Sequence, residues 1–365
     1  MSGWRRSLVV VGRTVEERFD RLRFGLKRRT GWLGPIQILP YRGYGTRDAL
    51  FLKGRVLEMS GLRPSSTDDS RRRNLRNMAR RFFSSEVPHA RVRASHGGYE
   101  LEATADEEGF FDLRFELAEP LKGVTDWHPV EIEVTWPRSG EGVRATGSVL
   151  VPAGARFGVV SDLDDTVVHS SATDLLKMAR ITLLSNARTR LPFEGVPAFY
   201  QALQRGPSGG DFNPIYYVSN GPWNLYDMIE EVLDVHEIPA GPLFLRDWGP
   251  TTLRERGRHK LGVIRTLLST YPDLPFVLIG DSGERDPEIY HQIVHEHPER
   301  ILAIYIRDVT TRERDAEVRK ISEGLRALGV EMLLVTGTVE AAGHAEGLGL
   351  VSPGASRGVG PEARG

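Results

Sequence analysis

Residues 157–166 read Phe-Gly-Val-Val-Ser-Asp-Leu-Asp-Asp-Thr, an apolar run that ends in three acids and a threonine. Comparable apolar runs stand at Ile215–Ser219, Phe276–Gly280 and Ile301–Ile306, and helical stretches lie between them. Uniformly apolar strands separated by helices indicate a parallel sheet that is covered on both faces. Ligands bind beyond the carboxyl ends of the strands in such sheets. The sequence therefore predicts an α/β domain whose site is built from the polar residues after each strand.

The first pair of acids suits phosphoryl transfer. Asp162 and Asp164 are two positions apart, so both can point at one centre while the intervening Leu163 turns away. One carboxylate can attack phosphorus, and the other can move a proton to the leaving oxygen and from water. Two ionised carboxylates so close together are costly, and Mg²⁺, which prefers hard oxygen ligands, would relieve that cost.

Three further segments near strand ends add complementary groups. Ser219 and Asn220 could hold phosphoryl oxygens through a hydroxyl group and backbone amides. The ammonium group of Lys260 would stabilise charge on the phosphoryl group. Asp281 would complete the metal shell, and Asp286 would orient it or Lys260. Each residue alone is equally well a turn former, a helix cap or a surface lysine, but the four segments together favour one phosphoryl-transfer site.

This set of motifs resembles the haloacid-dehalogenase (HAD) superfamily, whose first motif has the form Asp-x-Asp-x-Thr/Val, here Asp162 to Thr166. The strings at 161–168, 189–195, 217–223 and 280–290 are similar to the catalytic domain of actin-patch-type phosphatidate phosphatases, distant relatives of the lipins. The resemblance covers roughly residues 155–310. It implies Mg²⁺-dependent hydrolysis of phosphatidic acid to diacylglycerol and phosphate.

The resemblance also implies a role for each matching position. Asp162 would be the nucleophile and a metal ligand, and Asp164 would be the general acid/base that offers its backbone carbonyl to Mg²⁺. Asp281 would be the third protein ligand of the metal. The phosphate would be bound by Ser219, Asn220 and Lys260. The site would be supported by Thr166 and Asp286.

The pattern changes along the chain and predicts four segments. Residues 33–152 alternate apolar and charged residues, as in Phe111–Leu117 and Val130–Trp136, which is typical of a β-sandwich. Residues 153–340 form the HAD-like Rossmannoid domain with a parallel sheet, and the interval from Thr166 to Ile215 leaves room for a small cap or none. The Gly-, Ala- and Pro-rich residues 341–365 are expected to be a disordered tail.

Residues 1–32 are predicted to form a basic amphipathic helix. The first 30 residues carry nine Arg and Lys against three acids, and apolar residues recur at spacings of three and four. Such a helix could lie on an anionic membrane or pack its apolar face against the next domain. Six arginines between Arg71 and Arg81, followed by Phe82 and Phe83, form either a solvated run or an anion-binding patch.

Composition limits the partners, the catalytic chemistry and the location that the sequence allows. Lys and Arg number 48 against 49 Asp and Glu, so overall charge selects no partner, and no nucleic-acid-binding module surrounds the arginine run. The absence of cysteine excludes thiolate catalysis and disulfides. The apolar run Leu8–Val11 is too short for a signal peptide or a membrane span. We expect a cytoplasmic protein, with peripheral contact to an anionic membrane as an open option.

Three functions remain open at this stage. The leading one is a Mg²⁺-dependent phosphatidate phosphatase that works through an aspartyl-phosphate intermediate. The second is a HAD phosphatase for a soluble or protein-borne phosphomonoester. The third is a catalytically inactive module that binds phosphatidic acid, which the presence of both Asp162 and Asp164 argues against.

Overall fold

The computed structural model describes most of the 365 residues, namely 34–58, 85–121, 126–137, 142–163, 195–246, 253–310 and 312–359. The chain divides into two compact units, one of residues 1–121 and 127–149 and one of residues 122–126 and 150–365. Several predicted features lie outside the described residues: the helix over 1–32, the arginine run, residues 166–194 of the interval expected to hold a small cap or none, and the predicted site residues Asp164 and Thr166.

The first unit contains antiparallel strands, which in chain order are β1 (Ile36–Pro40), β2 (Gly43–Gly45), β3 (Ala49–Glu58), β4 (Ser85–Glu86), β5 (Arg91–His96), β6 (Tyr99–Thr104), β7 (Phe110–Glu116), β8 (Trp127–Trp136) and β9 (Arg144–Leu150). They form one hydrogen-bonded sheet in the order β1-β3-β2-β9-β8-β5-β6, with β4 and β7 both paired to β3. Along β7, buried and exposed residues alternate as the sequence predicts. The antiparallel strands are confirmed, whereas a two-layered sandwich stays a prediction.

A buried arginine lies within this sheet. Arg55 of β3 donates from Nε to the carbonyl oxygen of Glu108 at 2.8 Å and from Nη2 to Glu86 Oε1 at 3.1 Å. Its guanidinium carbon lies 4.3 Å from the ring centroid of Phe110. These contacts bring a carboxylate, a carbonyl and an aromatic face to the cation, and a buried charge requires such partners.

The second unit alternates strands and helices, which are β10 (Gly158–Asp162), α1 (Val196–Arg205), β11 (Ile215–Pro222), α2 (Tyr226–Val235), β12 (Leu243–Arg246), α3 (Leu253–Thr270), β13 (Phe276–Asp281), α4 (Asp286–Glu296), β14 (Ile301–Arg307), α5 (Arg312–Arg326), β15 (Met332–Val335), α6 (Thr338–Gly347) and α7 (Ala355–Gly358). Short 3₁₀ turns precede α2 and β14, at Trp223–Leu225 and Pro298–Arg300. The six strands form one parallel sheet in the order β12-β11-β10-β13-β14-β15. The α/β class is confirmed.

The central strand β10 fixes where a ligand can bind. Val160 of β10 lies opposite Tyr216 of β11 on one side and Leu278 of β13 on the other. From β10 the sheet continues through β11 to β12 on one side and through β13 to β14 and β15 on the other, so the direction in which the chain adds strands reverses at β10. A crevice opens at such a switch point beyond the carboxyl ends of the strands.

The predicted disordered tail is wrong as far as residue 359. Helix α6 begins at Thr338, and its Ala341, Ala342 and Ala345 are buried in the second unit. These alanines share one face of the helix, and their small side chains let the helix pack closely against its neighbours. Because alanine is only weakly hydrophobic, the composition of this segment suggested disorder. None of the described helices is both long and apolar enough to cross a membrane.

Candidate active site

Polar residues meet at the carboxyl ends of the three central strands. Asp162 is the last residue of β10, and Asp281 is the last residue of β13. Ser219 and Asn220 lie near the end of β11, the strand on the other side of β10. The structure thus brings together the predicted residues from three separate strands, because their order in the sheet makes these ends neighbours.

Lys260 enters this site from helix α3 and is almost completely buried, with 1% of its surface exposed. Its Nζ lies 2.8 Å from Asp162 Oδ1 and 3.3 Å from Glu284 Oε2, and it also contacts Asp286 Oδ1. Burial acts to lower the pKa of Lys260, but Asp162 and Asp286 act in the opposite direction and hold that pKa well above its usual value. The side chain is therefore a fixed ammonium group beside Asp162.

Asp286 begins helix α4 and is fully buried. One carboxylate oxygen contacts Lys260, and the other accepts a hydrogen bond from the backbone N–H of Asp281 at 3.2 Å. Burial raises the pKa of Asp286 to about 7, against the lowering effect of Lys260, and the Asp281 charge raises it further. A side chain at Gly280 would collide with this carboxylate, which accounts for the glycine before Asp281.

The loop after β13 holds Asp281 from one side. Asp281 Oδ1 accepts hydrogen bonds from the backbone N–H groups of Gly283 at 2.6 Å and Glu284 at 2.9 Å. The other oxygen, Oδ2, is buried and has no hydrogen-bond partner among the described residues. A buried carboxylate oxygen in this state suits a ligand that supplies positive charge.

The donor set fits a divalent cation of the magnesium type. One carboxylate oxygen each from Asp162, Asp281 and Asp286 can be chosen so that all lie within 4.8 Å of one another. With Glu284, four carboxylates surround the single ammonium of Lys260, an excess of three negative charges if all are ionised. Hard oxygen donors with excess negative charge are what Mg²⁺ prefers. These residues could therefore hold the predicted Mg²⁺, whose binding remains a prediction.

Glu284 received no role from the sequence, although it lies inside the Gly280–Tyr290 string. Its Oε2 accepts a hydrogen bond from Asn220 Nδ2 at 3.0 Å and also lies near Lys260. Ser219 Oγ accepts from the backbone N–H of Gly221 at 2.9 Å. Glu284 therefore links the β11 loop to the buried lysine, while phosphate binding by Ser219, Asn220 and Lys260 stays a prediction.

A pocket with an empty volume of about 580 Å³ adjoins Asp162 and Asp281. Its wall includes Phe199 and Tyr200 of α1 and is more apolar than polar. The hydroxyl of Tyr200 lies 2.7 Å from Ser161 Oγ, one residue before Asp162. Burial, more than any neighbouring charge, raises the Tyr200 pKa to about 12, so this phenol is neutral and serves as a hydrogen-bonding wall.

The fold and the site together define a class of protein. It is a parallel α/β domain in which a buried lysine lies among carboxylates at the switch point of the sheet. Residues 157–308 match the family model described as "Phosphatidate phosphatase APP1, catalytic domain". The match covers less than half of the chain, and over this segment it confirms the resemblance predicted from the sequence.

Curated relatives point the same way. The chain is 32% identical over 196 residues to Phosphatidate phosphatase APP1 of Saccharomyces cerevisiae. The aligned region covers 51% of this chain and 32% of that protein. An uncharacterized protein of Schizosaccharomyces pombe is 30% identical over 158 residues, covering 42% of this chain and 25% of that protein. The chain thus spans about a third or less of the length of these relatives.

Among solved structures, a carbohydrate acetylesterase from Xanthomonas citri aligns with 80% of this chain and 66% of its own at 13% identity. The TM-score of 0.29 is too low for this likeness to carry any argument about fold or function.

Proposed function

We propose that this protein is a Mg²⁺-dependent phosphatidate phosphatase that hydrolyses phosphatidic acid through an aspartyl-phosphate on Asp162. One observation carries the proposal: Asp162, Asp281, Asp286 and Lys260 converge at the switch point of a segment that matches an APP1-type catalytic domain. The HAD-like fold is part of the same proposal. The parallel sheet and its reversal of strand order at β10 support it.

The first chemical step transfers the phosphoryl group to the enzyme. A carboxylate oxygen of Asp162 attacks phosphorus, and the bond from phosphorus to the glycerol oxygen breaks. Asp164 gives its proton to that oxygen, so that diacylglycerol leaves as a neutral alcohol. Lys260, held 2.8 Å from Asp162, stabilises charge on the phosphoryl oxygens. Mg²⁺ held by Asp162 and Asp281 would neutralise further phosphoryl charge when bound.

The second step regenerates the carboxylate. Asp164, now ionised, takes a proton from a water molecule that attacks the phosphorus of the acyl phosphate. The bond between phosphorus and the Asp162 oxygen breaks, and inorganic phosphate leaves. Ser219 and Asn220, which lie near the end of β11, would hold phosphoryl oxygens during both steps. Thr166 is proposed to support the loop that carries Asp164.

Two observations support a substrate with an apolar part. The pocket beside Asp162 and Asp281 has a mostly apolar wall, and the matching relative from budding yeast is itself named a phosphatidate phosphatase. An apolar wall next to buried acids suits a phosphate ester whose alcohol is lipid-like better than a small polar one. A soluble or protein-borne phosphomonoester remains the alternative.

The test compares substrates in one assay. Phosphate release is measured with Mg²⁺ or with EDTA on phosphatidic acid vesicles, lysophosphatidic acid and soluble phosphomonoesters. We expect Mg²⁺-dependent release that is fastest from phosphatidic acid. Equal or faster hydrolysis of soluble esters would favour the alternative substrate class, and no release from any ester by a protein that binds the vesicles would favour a binding module.

Contact with an anionic membrane is a separate part of the proposal and depends on the basic residues 1–30. About 1 kcal/mol of attraction per basic residue near such a surface supports it. Deleting residues 1–30 should weaken sedimentation with phosphatidic acid vesicles and leave phosphate release from a soluble ester unchanged. Equal sedimentation of the deleted and full-length proteins would remove this part of the proposal.

A further inference from the structure

Arg314 of helix α5 belongs to none of the motifs above, yet it contacts the loop that carries Asp281. Its Nε donates to the carbonyl oxygen of Ser282 at 3.1 Å, and Nη2 donates to the carbonyl oxygen of Glu284 at 3.1 Å. The same guanidinium donates to both carboxylate oxygens of Glu288 on α4, at 2.6 Å and 2.9 Å. One side chain thus holds two loop carbonyls and is itself held in a fixed orientation by Glu288.

The peptide group between Ser282 and Gly283 connects Arg314 to the acid. Its carbonyl accepts from Arg314, and its N–H donates to Asp281 Oδ1 at 2.6 Å. A peptide group is planar, and in the trans form its C=O and N–H point in opposite directions. Fixing the carbonyl on one side therefore fixes the direction of the N–H bond toward Asp281 on the other.

Glu284 is held in a similar way. Its N–H donates to Asp281 Oδ1 at 2.9 Å, while its carbonyl accepts from Arg314. The two N–H groups that hold Oδ1 thus lie between the two backbone carbonyls that Arg314 contacts. Because Oδ1 is used in this way, Oδ2 is the oxygen of Asp281 that remains available for a cation.

The segment after β14 supports the other end of the loop. Ser282 N–H donates to the carbonyl oxygen of Arg307 at 2.9 Å, and Ser282 Oγ accepts from the backbone N–H of Val309 at 3.0 Å. Ser282 Oγ also lies 2.9 Å from Thr310 Oγ1. The loop is therefore attached to the end of β14 through Ser282 and to Arg314 through the carbonyls of Ser282 and Glu284.

We propose that Arg314 is a positioning residue that sets the orientation of Asp281 for divalent-cation binding by fixing the loop from Ser282 to Glu284. This inference rests on the proposed function, since it assigns Asp281 to the cation. The competing interpretation is an ordinary ion pair between α4 and α5. A partly exposed pair of that kind is worth about 0–1 kcal/mol and would not change cation affinity.

The chain offers a matched control. Arg265 also forms a two-pronged ion pair with helix α4, through Glu296, at 2.8 Å and 2.5 Å. The side chain of Arg265 is more exposed than that of Arg314, and within the described residues it donates to no carbonyl of the loop after Asp281. Arg265→Ala therefore removes a helix-to-helix ion pair and leaves the loop intact.

The experiment titrates Mg²⁺ onto the full chain by calorimetry, without substrate. Outer contacts that orient metal ligands typically contribute about 10–100-fold in affinity, so Arg314→Ala should weaken binding by about that factor. Arg314→Lys should recover little of the loss, because a lysine cannot bridge two carbonyls and a carboxylate at once. Arg265→Ala should bind Mg²⁺ within about twofold of the wild type.

A second measurement separates positioning from stability. Thermal unfolding in EDTA should show similar small losses for Arg314→Lys and Arg265→Ala, while the half-saturating Mg²⁺ concentration for phosphate release rises only in Arg314→Lys. Wild-type affinity in Arg314→Lys, an equal loss in Arg265→Ala, or no Mg²⁺ binding by the wild type would overturn the inference. If Mg²⁺ binds as expected but phosphatidic acid is not hydrolysed, the proposed function fails and the inference about Arg314 stands.

Discussion

Among the described residues, each unit has a buried basic side chain, and the surroundings of the two side chains differ. In the antiparallel unit, Arg55 contacts one carboxylate, one carbonyl and one aromatic ring. In the parallel unit, Lys260 lies among the carboxylates of Asp162, Glu284 and Asp286, with Asp281 beside them. The described contacts of Arg55 are of three different kinds, whereas the described ion pairs of Lys260 join one ammonium group to three carboxylates.

This difference indicates that the buried charge of Arg55 is structural and that the charges around Lys260 are functional. A buried ion pair rarely adds to stability beyond what apolar residues of similar volume would provide, so excess buried acids need another reason to persist. Perturbed acids in a cleft are typical of functional sites. We therefore expect changes at Arg55 to affect stability, and changes in the acidic cluster to affect chemistry and cation binding.

The largest expected effect is on catalysis. Asp162→Asn should lower Mg²⁺-dependent phosphate release by at least about a thousandfold, equivalent to about 4 kcal/mol of activation free energy, because an amide cannot act as the nucleophile. The measurement is kcat on phosphatidic acid vesicles together with the unfolding free energy. A variant that keeps a tenth of the wild-type kcat would show that Asp162 is not the nucleophile.

Removing the buried cation should have the next largest effect. Lys260→Met leaves Asp162 and Asp286 without their ammonium group, and breaking a buried pair in this way costs about 3–5 kcal/mol of unfolding free energy. Urea unfolding in EDTA measures this cost. Lys53, whose ion pair with the exposed Asp112 spans 3.4 Å, is the control, and Lys53→Met should change stability by less than about 0.5 kcal/mol. Equal losses at both lysines would contradict the contrast between the two regions.

Cation-dependent stability should depend on Asp281. A cation at about a hundred times its dissociation constant stabilises a folded protein by about 2.7 kcal/mol, so EDTA should lower the midpoint of thermal unfolding of the wild type. Asp281→Asn should abolish this response and leave the stability in EDTA unchanged or slightly higher, because it removes one excess charge. If Mg²⁺ stabilises Asp281→Asn as much as the wild type, the cation binds elsewhere.

The smallest expected effect is a loss of stability in the antiparallel unit. Arg55→Met should cost about 2 kcal/mol of unfolding free energy, because it leaves Glu86 and the carbonyl of Glu108 without this donor. Phosphate release per folded molecule should be unchanged. A fall in kcat of about tenfold or more, equivalent to about 1.4 kcal/mol of activation free energy, would mean that the antiparallel unit takes part in catalysis.

The sequence predicted the parallel sheet well because its strands are uniformly apolar and each is followed by polar residues. The apolar run Ile301–Ile306 lies within the strand Ile301–Arg307, and Asp162 and Asp281 close their strands as expected. Glu284 was missed because its closeness to Asn220 depends on β11 and β13 flanking β10, which no local pattern determines.

Arg314 was missed for a related reason. Its partners are backbone carbonyls, which have no signature in the sequence, and they lie about 30 residues earlier in the chain. The helix at Thr338–Gly347 was missed because alanine and glycine suggest disorder by composition, while burial of Ala342 and Ala345 depends on neighbours that the local sequence does not show.

The most direct test of the central claim is to trap the acyl phosphate during turnover. Borohydride reduces an aspartyl-phosphate to homoserine, so peptide mass spectrometry after turnover with Mg²⁺ identifies the phosphorylated residue. We predict homoserine at position 162, dependent on both substrate and Mg²⁺ and accompanied by loss of activity. Steady phosphate release in borohydride with residue 162 still aspartate, or conversion at a different carboxylate, would contradict the account.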